Sequence, residues 1–205
     1  MRVAAILLVF LLSACFEAET VMHVNPDRTI TASSTVEIAR RLYDFDRKSK
    51  AHSDDYCVGG DLEITDDFVR CHLWSKLPLR NFRLAAANGL PAITARAIGD
   101  EIIRVEIPVR ALMQAMFKAK SLKPEEERSL KLAKPFIGRA MQDRKLVYAI
   151  EGYRVVKTNG RLSEDRTRAE VAVPMADVVD GTAEAPRIFF AEVRFEKCRV
   201  AFFCR

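Results

Sequence analysis

The chain has 205 residues, with 33 lysines and arginines against 28 aspartates and glutamates and a formal charge of +5. That length supports one substantial domain with a single core. The basic residues form no block or stripe, which excludes the clustered footprint expected of a nucleic-acid binder and leaves a weak attraction to anionic headgroups.

One positive charge, Arg2, precedes an uninterrupted apolar run from Val3 to Leu12, and the small residues Ser13 and Ala14 lead to Cys15. Charge, apolar core and small residues in that order make the pattern of an export signal. As a helix the run reaches about 15 Å, roughly half of a hydrocarbon core, so it is too short for a permanent span. Leu12-Ser13-Ala14-Cys15 resembles the lipobox of bacterial lipoproteins. That resemblance implies that residues 1–14 are a signal peptide, that Cys15 is lipidated, and that residues 15–205 form one extracytoplasmic domain. Phe16 stands where an Asp would resemble an inner-membrane retention signal, so an outer-membrane destination is allowed and both membranes stay open. The membrane is the expected partner, reached through the lipid, because no later segment is long and apolar enough to span a bilayer.

Four cysteines remain: Cys57, Cys71, Cys198 and Cys204. In an oxidising compartment they suggest two disulfides, with three connectivities open. The local pairs Cys57–Cys71 and Cys198–Cys204 are preferred. The first closes a loop of about fifteen residues and stabilises by roughly 3 kcal/mol in the chain-entropy model. The second needs a chain reversal, since an extended segment would hold its thiols about 20 Å apart. Zinc is set aside because the spacings are not those of Cys-x-x-Cys knuckles.

Along the domain, Thr20 to Val24 predicts a strand, Asn25-Pro26-Asp27-Arg28 a turn, and Thr29 to Ala39 an antiparallel return with Ile30, Ala32, Val36 and Ile38 on one face. The charged stretch 40–56 predicts a short helix and loop. Leu62 to Thr65 and Phe68 to Trp74 flank Asp66-Asp67 as a second hairpin. Pro91 to Ala97 and Glu101 to Ile107 flank Gly99-Asp100 as a third. The period then changes: Leu112, Ala115, Met116 and Ala119 recur at helical spacing, with Met113 and Phe117 widening the apolar face. Pro124 and Glu125 to Glu127 suit a second helix start, which Pro135 should kink. Strands return at Leu146 to Ile150, and Thr158-Asn159-Gly160-Arg161 predicts a tight hairpin. Arg168 to Val173 is the next strand. Phe189, Ala191, Val193 and Phe195 share one face of the last. The expected fold is α+β: a mostly antiparallel sheet with an inserted helical pair packed on one face.

This pattern resembles the LppM-type lipoprotein domain family. The resemblance is carried by Cys15, by Val24-Asn25-Pro26-Asp27-Arg28-Thr29-Ile30, by Tyr153 to Arg161 and by Arg168 to Pro174. It implies a surface-exposed α+β domain, for which lipid binding is suggested in the family, and it transfers no set of binding residues.

Catalytic signals are sparse. His23, His52 and His72 are the acid–base candidates, with His23 and His72 read as structural. His52 precedes Asp54 and Asp55 but has no Gly-x-Ser-x-Gly nucleophile to serve. Asp54, Asp55, Asp61, Asp66 and Asp67 lack calcium-loop spacing, and Val58-Gly59-Gly60-Asp61 is a turn rather than a phosphate loop. No catalytic residue, metal or cofactor is expected. Met113, Met116 and Phe117 are the candidate apolar ligand contacts, since methionine adapts to irregular apolar shapes, with ordinary core packing as the alternative. Three functions follow: an envelope lipoprotein binding a lipid or other apolar ligand, an envelope assembly or protein-interaction factor, and a hydrolase. Replacing Cys15 by Ser is expected to abolish acylation, leave the chain at precursor size and release it from normal membrane sorting. Unchanged mature size and retention on fractionation would refute the anchor.

Overall fold

The computed structural model describes residues 17–41, 43–44, 56–84, 92–117, 132, 139 and 141–195. Period-two alternation builds its first hairpin. Strand β1 (Glu17–Val24) returns as β2 (Thr29–Ala39), with Met22 opposite Ala32 and Val24 opposite Ile30. Those four residues are buried, while Glu19, His23, Thr31 and Thr35 occupy the other face. Asp27 closes the turn by accepting from the Thr29 amide at 3.1 Å and from Lys76 Nζ at 2.7 Å. Arg28 ends it at φ 59°, in the left-handed region that costs a non-glycine residue roughly 1–2 kcal/mol.

Strand β3 (Asp61–Ile64) pairs with β4 (Phe68–Pro78), and β4 pairs along the whole of β2. The Asp66-Asp67 turn joins them as expected. A disulfide links Cys57, just before β3, to Cys71 in the middle of β4. Ile38, Tyr43 and Val69 form a small second core there, with Tyr56 packed against it. A 3-10 turn, Leu79–Asn81, ends β4.

The chain then passes to a second sheet through β5 (Arg83–Leu84), β6 (Ile93–Ala97) and β7 (Ile102–Ile107), followed by helix α1 (Val109–Phe117). Strand β8 (Lys145–Glu151) returns to the first sheet and lies parallel to β1. β9 (Arg154–Thr158) belongs to the second sheet, while β10 (Arg161–Leu162) and β11 (Arg168–Pro174) belong to the first. Helix α2 (Met175–Asp180) precedes β12 (Phe189–Arg194). The strand orders are β10-β11-β8-β1-β2-β4-β3 and β5-β6-β7-β12-β9.

One apolar core joins the two sheets. Met22, Ile30, Leu146, Ile150 and Val173 come from the first; Ile103, Val105, Val155, Phe189 and Val193 come from the second. Phe189, Ala191, Val193 and Phe195 are buried together, as the alternation of the last strand predicts. Burial also pushes the Tyr148 hydroxyl up to about 12, so this side chain stays neutral across physiological pH.

The expected hairpin at Asn159-Gly160 is not one. Its flanking strands lie in different sheets, β9 against β12 and β10 against β11. Neither central residue has a positive φ. Gly160 is needed for space instead: a Cβ there would meet Glu170 O and Phe189 Cε2 at 2.6 Å. Asn159 ties the corner to β12, donating to Ile188 O and accepting from the Phe190 amide, both at 2.8 Å. The single expected sheet is thus two sheets. Of the expected helical pair, α1 is present, and the stretch 124–141 lies outside the described residues save for Leu132, Arg139 and Met141. The packing of a pair on one face therefore falls outside them too, as do Cys15, Cys198, Cys204 and His52.

Outer faces are held by arginines that bridge strands. Arg168 on β11 reaches Glu151 on β8 and Glu19 on β1, each at 2.6 Å, and Glu170 on its own strand at 3.0 Å. Arg104 pairs with Glu106 and Glu192 and lies 3.9 Å from the Phe190 ring centroid. Arg70 joins Glu37 to Glu63. Burial alone raises the Glu170 carboxyl, and hydrogen bonds from Arg161 and Arg168 more than reverse this, holding it below the usual carboxylate range. Arg161 is largely exposed, so its share is screened. Glu170→Gln is expected to lower stability near pH 7 by about 1–2 kcal/mol. A depressed folded pKa stabilises above the unfolded value and is lost as pH falls through the folded one. Thermal unfolding curves of variant and parent should therefore converge in acid, and a gap independent of pH would contradict the assignment.

Candidate functional site

The amphipathic face of α1 positions the first wall of a cavity. Val109 and Met113, four residues apart, are both buried, and Leu112 packs partly against the core. Arg110 and Gln114 fall on the exposed side of the same helix. The opposite wall is α2 and the segment after it. Pro174 precedes α2, and Gly181 ends it in the left-handed conformation at φ 75°, its amide donating to Asp177 O and Val178 O. The Thr182 and Ala183 amides also donate to Asp177 O, at 2.9 and 3.0 Å. This cap turns the chain back toward α1, and Arg110 Nη2 donates to Ala185 O at 2.9 Å across the gap.

Between these walls lies a half-open cavity of about 700 Å³, lined by Met113, Val178, Ala183, Ala185 and Pro186 together with Arg110, Gln114 and Glu184. Its size is within the range of small-molecule sites, and its mixture of apolar walls with a few polar groups is theirs as well. Chemically it suits an apolar body with a polar end: the side chains of Met113, Val178 and the alanines offer dispersion contacts, and Arg110 and Gln114 offer donors.

Met113 is therefore brought to a cavity wall, and it also belongs to the main core. Met116 and Phe117 are in α1, but their side chains lie outside the described residues. The wall at 178–186 carries no periodic signal of its own. The cue available was Gly181 seven residues after Pro174, a helix stop following a helix start.

The two described histidines, His23 and His72, are placed apart from this cavity. His23 Nδ1 lies 3.7 Å from Glu151. His72 Nδ1 is 3.0 Å from Thr35 Oγ1, and its Nε2 is 3.9 Å from Glu63. That row has the residue types of a hydroxyl–imidazole–carboxylate relay. It sits on an open strand face, with His72 and Glu63 both close to half exposed, and Arg70 holds the same Glu63 oxygen at 2.9 Å. Water reaches the imidazole and the carboxylate, where such chemistry needs it excluded, and the row forms a contact across β2, β4 and β3. Asp61, Asp66 and Asp67 are exposed, and no group of three or more His, Cys, Asp or Glu able to hold a metal occurs among the described residues. Among the same residues no helix is long and apolar enough to cross a membrane.

No family's sequence profile and no curated protein matches the chain. Among solved structures it is similar to the NMR structure of the folded domain of Mycobacterium tuberculosis LppM, at 11% identity and a TM-score of 0.45, over 89% of this chain and 91% of that one. A likeness at this level says nothing of activity, and the reading below rests on the residues of this chain.

Met113→Ala is expected to destabilise by about 2–4 kcal/mol, because it removes a buried side chain between core and cavity. Urea unfolding measures this, and a change below about 0.5 kcal/mol, the scale of an ordinary surface substitution, would show that Met113 does not pack there.

Proposed function

We propose that this chain is a non-enzymatic envelope lipoprotein, anchored through Cys15, whose domain binds a lipid or another apolar molecule between α1 and α2. The observation that carries the reading is the cavity beside Met113, large enough for an acyl chain or a small amphiphile and bounded on two sides by capped, tethered backbone. The short apolar leader ending in Leu12-Ser13-Ala14-Cys15 supports the anchor and the envelope location. In this arrangement the lipid on Cys15 holds the domain near a membrane, and the cavity takes its ligand from that source.

A second reading, an interaction or assembly factor, is favoured by a specific surface. Leu62, Ile64 and Leu73 lie on the core-facing side of β3 and β4 yet are 43, 44 and 39% exposed. Contiguous exposed apolar surface of this kind suits a protein partner.

Native mass spectrometry of the full chain purified from its own membranes separates the two. A retained mass in the lipid range beyond the covalent anchor, lost in Ala183→Trp, which fills the cavity, is the expected result. A retained protein would favour assembly instead, and a bare acylated mass would overturn ligand binding.

A further inference from the structure

A second groove, remote in sequence from the α1 cavity, gathers positive charge. About 500 Å³ in volume, it is lined by Arg28, Arg80 and Arg96, with Pro78, Leu79, Ala95 and Ala97 between them. The three arginines come from three places: the turn after β1, the 3-10 turn after β4, and β6. Among the described residues no carboxylate lines the groove or pairs with any of the three. Of the acids nearest in sequence, Asp27 is engaged by Lys76 at 2.7 Å, and Asp100 and Glu101 lie in the turn between β6 and β7, where Glu101 meets Arg194 at 4.0 Å. This contrasts with Arg70, Arg104 and Arg168, each of which meets two or three carboxylates.

The groove is also held in place. Arg28 keeps a left-handed backbone at φ 59°, its amide donating to Asn25 O at 3.2 Å and its carbonyl accepting from the Leu79 amide at 3.0 Å. Its guanidinium lies 5.2 Å from the centroid of the Phe195 ring, which limits where the charge can point. A strained, over-determined non-glycine residue at a concave charged surface has the character of a ligand site. The small residues Ala95 and Ala97 keep the floor low. Beyond Thr94 the outer edge of β6 has no partner strand among the described residues, since β5 pairs only at Ile93 and Thr94. Three arginines lining one groove, with no acid among its described lining residues, match the oxygens of a phosphate.

We propose that this groove binds a phosphate group, presented either by a phospholipid headgroup or as free phosphate. The ligand's charge offsets the mutual repulsion of Arg28, Arg80 and Arg96, and Arg28 is preorganised for it. The site is independent of the α1 cavity, so either can fail without the other.

The test is an amide NMR titration of the full chain in non-ionic detergent micelles. One arm adds inorganic phosphate, a second adds dihexanoyl phosphatidylglycerol, and sodium chloride at matched ionic strength is the blank. Saturable shifts at Arg28, Leu79, Arg80 and Ala95 to Ala97 are expected in at least one arm. An Arg80→Gln, Arg96→Gln double variant should weaken binding at least tenfold with an unchanged thermal midpoint, Arg80→Lys with Arg96→Lys should keep part of it, and Arg154→Gln on the second sheet should leave it unaltered. Saturation by the lipid at concentrations tenfold below phosphate assigns the headgroup as source; equal or tighter binding of phosphate assigns the free ion. Shifts that stay linear in both arms, or saturation untouched by the double glutamine variant, would overturn the proposal.

Discussion

Two close passages at glycine hold the fold together. Between Glu151 and Arg161 the chain leaves the first sheet, lays down β9 in the second and returns. Gly152 stands at the departure, where a Cβ would meet Val193 Cγ1 at 2.5 Å, and Gly160 stands at the return, where it would meet Glu170 O and Phe189 Cε2. At both points a side chain of β12 packs directly against the glycine backbone. That contact sets the sheet separation, and the separation decides whether Ile150, Phe189 and Val193 fill a single close-packed core. The parallel pairing of β8 with β1 and the antiparallel pairing of β9 with β12 both start from this corner.

Arginine plays opposite parts on the two kinds of surface. On the sheet faces its five donors cross from strand to strand, and each charge is met by carboxylates, so Arg168 ties β11, β8 and β1 into one unit. In the groove beside β6 the same side chain has no acid among its described neighbours. The geometry of the site beside α1 is different again: there a single arginine spends a donor on the Ala185 carbonyl and ties α1 to the segment after α2. Charge placement, more than composition, distinguishes surface that stabilises from surface open to a ligand.

Much of the local structure was legible because it depends on neighbours in sequence. The turn at Asn25 to Arg28, the Asp66-Asp67 and Gly99-Asp100 reversals and the alternation through Phe195 all follow from residues within a few positions of one another. The division into two sheets was not, because antiparallel alternation reads the same whichever sheet receives the strand. Asn159-Gly160 misled for a related reason: the dipeptide is favoured in tight hairpins, but here the contact with Glu170 and Phe189 decides the use of the glycine. Met113 was visible through helical spacing. The wall opposite it, at 178–186, is set by a tertiary contact and leaves no mark on periodicity. The three groove arginines are separated by about fifty and sixteen positions, so only the fold brings them together.

The Cys57–Cys71 bond has a consequence for the order of events in biogenesis. Strand β3 is four residues long, pairs among the described residues only with β4 and is exposed along its length. Such an edge is readily captured by another strand. A cytosol keeps thiols reduced, so a newly made chain carries this margin unfastened. The covalent clasp forms only where an oxidant is met, and before that the border is held to β4 by its backbone pairing alone.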